Sequence, residues 1–211
     1  MPSPDIEGQQ RGFVIPIGGA EEKINNPEIL KKFVELCGGS EADICIVPTA
    51  SQLKDTGERY QKVFTDLGVG NTHWLPISDR NDAKKEEYVT QLEGCTGIFI
   101  TGGNQLRLST ILGGTPIAKT IRKLNAQGVH VAGTSAGAAI VSQHMITGGS
   151  TGIVPTEDGV NLAPGMGLIN TIVVDQHFNE RNRLSRLLSA VSYNPFLLGL
   201  GLDEDTAAFI D

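Results

Sequence analysis

Apolar residues fall along this chain in short dense runs, separated by turn residues and by segments of helical spacing. Gly12 to Ile17, Asp43 to Pro48, Thr72 to Ile77, Gly97 to Ile100 and Val129 to Ala132 each read as a strand, and the first is almost wholly apolar. Near-continuous apolar character is what a strand covered on both faces requires. Between these runs the period changes. Residues 27–36 set Ile29, Leu30, Phe33, Val34 and Leu36 on one broad face behind Pro27, and Gly38-Gly39 stops the helix. Further helices are predicted over 55–67, 84–92 and 115–127. After residue 137 a small-residue helical run follows. A Gly/Ser/Thr-rich surface loop is then predicted over 147–161, a strand over 171–174, a helix over 181–191 and a strand from 197 to 201.

Strands alternating with helices at this spacing predict an α/β fold, a three-layer sandwich around a mainly parallel sheet. No repeat or linker divides it, so residues 11–211 read as one domain, with a loose polar segment over 1–10. The last apolar run, residues 206–210, has nothing after it. An uncovered sheet edge is therefore expected there, and with it a homodimer.

In such a sheet, ligands bind beyond the C-terminal ends of the strands. Three Gly-rich segments fall at such ends: those after Ile17, after Ile100 and after Ala132. The third is Gly133-Thr134-Ser135-Ala136-Gly137. Strand, Gly-x-Ser-x-Gly, helix is the context of a nucleophile elbow, in which a sharp turn lifts the Ser135 hydroxyl clear of the sheet. The same residues would also serve a turn where a helix packs tightly on a strand. The amide of Ala136 would face a developing oxyanion, and Gly103, in Gly102-Gly103-Asn104-Gln105, offers a second amide.

Ser135 needs a base. Of the four histidines, His73 and His130 lie within strand patterns, and His144 lies on the elbow helix away from the turn. His177 alone follows a strand end, and is the expected general base. Arg181, Arg183 and Arg186 come next, with Arg183 and Arg186 on one helix face. They read either as solvated charges or as a carboxylate site.

Composition narrows the classes. The chain of 211 residues has a formal net charge of −7 and no long basic run, which disfavours nucleic acid and anionic membrane as partners. Cys37, Cys45 and Cys95 show no C-x-x-C spacing and read as reduced thiols, with Cys45 in the core. No signal-peptide pattern or membrane-length apolar run occurs, so the expected compartment is the cytoplasm. Neither a metal-ligand spacing nor a cofactor motif is evident, and none is expected.

Taken together, GTSAGA around Ser135, Gly102 to Gln105, Gly18-Gly19-Ala20-Glu21-Glu22-Lys23, and Asp175-Gln176-His177-Phe178 with its spaced arginines resemble the cyanophycinase family, serine-type exopeptidases grouped with aspartyl dipeptidases. The resemblance implies a fold like that of class I glutamine amidotransferases. It also implies hydrolysis of cyanophycin, a poly-aspartate backbone with arginine on each side-chain carboxyl, to β-Asp-Arg dipeptides. Carried over, Ser135 is the nucleophile and His177 the base. Gln105, Arg107, Asp175, Gln176, Arg181, Arg183 and Arg186 match substrate-groove positions, and Asp175 and Glu180 are candidate partners for a substrate guanidinium. The family's third catalytic member is taken as a Glu in the loop after the elbow helix. Ungapped placement puts Ile153 there, so Glu157, with Asp158 beside it, is the acid expected to serve. Two alternatives follow from the same resemblance: a homologue that binds the polymer or an acidic peptide with little turnover, and a dipeptidase on short Asp-X peptides. Family members also run on beyond Asp211.

Overall fold

Five strands build the parallel sheet that the apolar runs predict. In the computed structural model, which describes residues 1–211, they are β1 (Val14–Ile17), β2 (Asp43–Val47), β3 (Asn71–Trp74), β4 (Gly97–Ile100) and β5 (His130–Thr134). Their order is β1-β5-β4-β2-β3, with every neighbouring pair parallel. Alternate residues serve opposite faces. Ile15, Ile17, Ile44, Ile46, Phe99 and Ala132 enter one core; Val14, Cys45, Val47, Ile98, Ile100 and Val131 enter the other. Helices α1 (Glu28–Cys37) and α2 (Thr56–Asp66) cover the first face through Leu30, Phe33 and Phe64. Helices α3 (Glu86–Glu93), α4 (Gln105–Leu112) and α5 (Pro116–Ala126) cover the second through Leu92, Leu108, Ile117 and Ile121.

Helix α4 was not anticipated, although its start signal is in the sequence. Asn104 caps it, its side-chain oxygen accepting the Arg107 amide at 3.1 Å. The elbow helix α6 (Ala136–Ala139) is four residues long, and His144 lies in a strand rather than on it. The predicted surface loop is the turn of an antiparallel hairpin, β6 (His144–Gly149) with β7 (Val160–Pro164). Its Ile146 and Val160 bury in a small third core, together with Val173, Leu187 and Ala190. That core joins β8 (Ile172–Gln176) and β9 (Leu198–Leu202), a separate parallel pair, to helix α7 (Leu184–Tyr193). Helix α7 starts three residues later than predicted, because Asn182 takes a positive φ in the turn before it.

The expectation of an uncovered edge is corrected. Residues 206–210 run antiparallel to β1. Val14 and Ile210 exchange amide–carbonyl bonds at 2.8 and 3.0 Å, and Ala208 donates to the Pro16 carbonyl at 3.2 Å. The terminal run is itself the cover of β1, so a homodimer loses the physical basis it was given. At the other end, Arg11 ties down residues 1–10 by donating to the Ser3 carbonyl and the Asp5 carboxylate. No helix is long and apolar enough to cross a membrane.

Candidate active site

Strand β5 delivers the chain into a strained turn. Ser135 has φ 53° and ψ −109°, a conformation an L-residue takes only when its surroundings enforce it. The flanking glycines are required by close backbone approach. A Cβ on Gly133 would lie 2.2 Å from the Gly137 carbonyl oxygen, and one on Gly137 would lie 2.1 Å from that of Ile100. The turn leaves Ser135 half-buried, with Oγ 2.9 Å from His177 Nε2 and 3.4 Å from Gln176 Oε1.

His177 follows β8 directly. Its φ is 46°, and its amide donates to the Gly18 carbonyl at 2.8 Å. These constraints turn the ring toward Ser135 across the segment after β1. There Gly19, at φ 105°, leaves the space that the ring fills.

The other ring nitrogen meets a carboxylate that sequence reasoning missed. His177 Nδ1 lies 2.5 Å from Glu204 Oε1. Protonated Nδ1 donates to this carboxylate, which leaves the Nε2 lone pair to accept the Ser135 hydroxyl proton. Glu204 is held from several sides. Asp205 donates its amide to the Gly19 carbonyl at 2.9 Å, the Glu204 amide donates to Glu180 Oε2 at 3.3 Å, and Thr206 Oγ1 donates to the Glu204 carbonyl. The reading of Glu157 as the acid is corrected. Glu157 is exposed in the β6–β7 turn and makes no hydrogen bond to His177, and neither does Asp158. The signal for Glu204 was in the chain: Asp203-Glu204-Asp205 follows β9 at its C-terminal end, as the elbow follows β5.

Two amides are expected to receive the oxyanion. Those of Gly103 and Ala136 donate to no backbone acceptor, so both are available. Gly103 has φ 143°, and a Cβ there would lie 2.2 Å from the Ala50 carbonyl oxygen. A Cβ on neighbouring Gly102 would come within 3.3 Å of Ser135 Cβ, which sets how closely this loop approaches the nucleophile.

The residues assigned to a substrate groove divide differently. Asp175 and Arg186 are buried, and Arg186 Nε and Nη2 grip the Asp175 carboxylate at 2.6 and 2.5 Å. Arg183, also buried, donates to the Gln176 carbonyl and lies 3.7 Å from Asp175. Burial pulls the Arg183 guanidinium down to about 10, and the neighbouring Arg186 charge adds to this. These charges satisfy one another, so Asp175, Arg183 and Arg186 are all engaged within the protein. Arg107 is likewise engaged, donating to the Thr49 and Ser78 carbonyls at 2.9 and 2.8 Å. Gln105 reaches the Ile146 and Thr147 carbonyls only weakly, at 3.4 Å. Gln176 is buried against Ser135. Arg181 is exposed and forms no ion pair.

A buried carboxylate also sits behind the nucleophile. Glu21 accepts from Thr134 Oγ1 at 2.5 Å and from the Tyr60 hydroxyl at 2.6 Å, and pairs with Lys23 at 3.1 Å. Burial, with this carboxylate alongside, pushes the Tyr60 phenol far above its usual value. Beyond Lys23 and Tyr60 an open groove of about 970 Å³ runs along α2 to Gly102 and Gly103, with Lys31, Arg59 and Lys62 on its walls.

The family model described as peptidase family S51 matches residues 13–211. A cyanophycinase of Geminocystis herdmanii is 46% identical over 200 residues, covering 94% of this chain and 74% of its own. A cyanophycinase of Synechococcus elongatus is 44% identical over 203 residues, covering 95% of this chain and 63% of its own. The chain thus spans about two thirds to three quarters of these relatives. Among solved structures, a peptidase from an acI-B1 actinobacterium superposes with a TM-score of 0.70 at 24% identity, over 95% of this chain and 83% of that one, a likeness of fold.

Proposed function

Since the chain belongs to peptidase family S51, we propose that it is a serine peptidase that hydrolyses cyanophycin and releases β-Asp-Arg dipeptides. The observation that carries this reading is the relay from Ser135 Oγ through His177 to Glu204, with spacings of 2.9 and 2.5 Å. Ser135 Oγ attacks the scissile carbonyl as its proton passes to His177 Nε2. Glu204 holds the ring and stabilises the imidazolium that forms. The oxyanion is received by the amides of Gly103 and Ala136. His177 then gives its proton to the leaving amine, and the acyl group on Ser135 is released to water by the reverse sequence. Every group the reaction needs for proton transfer is supplied by these side chains.

The groove beside Gly103 favours a polymer over a dipeptide. It runs along α2 from Gly102 and Gly103, the loop that approaches Ser135, and each cyanophycin unit carries a carboxylate that a groove cation such as Lys31 can meet. Glu204 beside His177 supplies an acid where Ile153 offers none, which supports turnover over binding alone. A cytoplasmic location accords with the three free thiols.

The test is dipeptide release from purified cyanophycin by the wild-type chain and by Ser135→Ala. Release by the wild type and none by Ser135→Ala is expected. Equal release by both would overturn the mechanism, and faster cleavage of free Asp-X dipeptides than of polymer would overturn the substrate.

A further inference from the structure

Three residues far apart in sequence meet at β2, β3 and the turn before β4. Cys45 is fully buried on β2, and His73 lies directly opposite it on β3 in the parallel register. Cys95 is buried in the turn that joins α3 to β4. The two sulfurs and one imidazole nitrogen all lie within 4.8 Å of one another, and Cys95 Sγ is 3.8 Å from His73 Nε2. We propose that Cys45, His73 and Cys95 form a binding site for a thiophilic divalent cation, of which zinc is the probe of choice.

The dimensions suit the ion. Zn–S bonds of about 2.3 Å and Zn–N bonds of about 2.0–2.1 Å at a tetrahedral angle separate S from N by about 3.6 Å. The Cys95–His73 spacing is therefore within a few tenths of an ångström of a ligated one. Two thiolates and a neutral imidazole are also the donor set that zinc prefers to all-oxygen sites.

An independent observation comes from behind the imidazole. Asp43 Oδ1 is buried without a hydrogen bond and lies 3.4 Å from His73 Nδ1. The other carboxylate oxygen is fixed by the Asn71 amide at 2.7 Å. A carboxylate held at Nδ1 selects the tautomer whose Nε2 lone pair faces the two sulfurs, and this is how metal-ligating histidines are usually oriented. His73 keeps 27% of its side-chain surface exposed, which provides an entry path. The Cys95 thiol otherwise donates to the Gln91 carbonyl at 3.2 Å. As each Zn–S bond forms, the thiol proton leaves to solvent, so binding releases protons. The fourth position is left to water.

The site lies away from the nucleophile, because Cys95 is at the N-terminal end of β4 whereas Ser135 follows the C-terminal end of β5. A bound ion would pin two neighbouring strands and the turn before a third, and its effect is on stability rather than on hydrolysis.

The experiment uses the full chain, metal-free and reduced with a phosphine. Zinc is titrated in competition with a chromophoric chelator, and cobalt is titrated while thiolate-to-metal charge transfer is followed in the ultraviolet. One equivalent per chain is expected, with a cobalt spectrum showing thiolate ligation and a zinc-dependent rise in Tm of about 5–10 °C at a hundredfold excess over Kd. Cys95→Ser and His73→Ala should each weaken zinc binding more than tenfold, and Asp43→Asn about 10–100-fold. Cys37→Ala, which removes a thiol on α1, should leave it unchanged. Cys45 is too deeply buried to replace safely, and the wild-type cobalt spectrum reports on it without substitution. No zinc uptake by the reduced chain at micromolar concentration would overturn the proposal. Wild-type affinity in both Cys95→Ser and His73→Ala would do the same, as would a Cys45–Cys95 disulfide formed in air by a chain that takes up no zinc when reduced.

Discussion

The Cα of Gly19 faces the His177 ring so closely that a methyl group built on it would sit 2.4 Å from both Cε1 and Nε2. The glycine-rich end of β1 thus forms the wall against which the imidazole is aligned. Gly19→Ala would push the ring off Ser135 and also strain a backbone held at φ 105°. A misplacement near 1 Å costs on the order of 10² in rate. Turnover should fall at least that far, with reaction of Ser135 toward a serine-directed phosphonate slowed in parallel. Wild-type phosphonate reactivity in Gly19→Ala would show that the ring is aligned by something else.

Glu204 and Glu157 make opposite predictions. Glu204→Gln keeps the shape but can stabilise the wrong imidazole tautomer, a change that can lower kcat by about 10⁴ in a Ser-His-acid relay. Glu157→Gln, at an exposed turn, should leave kcat within about twofold, because nothing at the relay touches it. Single-turnover rates on a short cyanophycin fragment would decide, and a deficit in Glu157→Gln larger than that in Glu204→Gln would refute the assignment.

The pair of Asp175 and Arg186 should register first as stability. Arg186→Met leaves the Asp175 carboxylate buried with its bidentate partner gone. Removing one member of such a pair typically costs about 3–5 kcal/mol. Urea titration followed by circular dichroism measures this. A variant as stable as wild type but with a raised KM would return Arg186 to the substrate groove.

Acid should affect the loop after β3 in a defined direction. The Asp82 carboxylate is held far below its usual value, first by the Lys85 ammonium at 2.8 Å and then by the amide and hydroxyl of Ser78. Its folded-state pKa is lower than its unfolded one of about 3.9, so the stabilisation is complete above that pH and fades as pH falls below it. Asp82→Asn should therefore lower Tm at pH 7, and the gap to wild type should be smaller at pH 2.5, closing fully only once pH falls below the depressed folded-state value. The pair is open to solvent, whose screening keeps the effect small. An equal gap at both pH values would refute it.

The parallel sheet was legible because its strands are apolar on both faces, a local property of Val14 to Ile17 or Gly97 to Ile100 that needs no partner to be recognised. The elbow was legible for a related reason. Its glycines, serine and flanking strand are contiguous, and the close approach of Gly133 to Gly137 is a short-range requirement. The β6–β7 hairpin was not legible, because Ile146 and Val160 are ordered by a core that α7 and β8 complete from elsewhere in the chain.

The sequence by itself determined the kind of sheet, the turn that carries Ser135, and the choice of His177 from four histidines, since each depends on residues adjacent in the chain. Only the tertiary structure decided which acid meets His177, that Asp175 and Arg186 are spent on one another, that residues 206–210 close the β1 edge, and that Cys45, His73 and Cys95 meet. Those outcomes depend on distances between segments tens of residues apart. Such distances are fixed by how the helices and strands pack, and no local pattern of residue types encodes them.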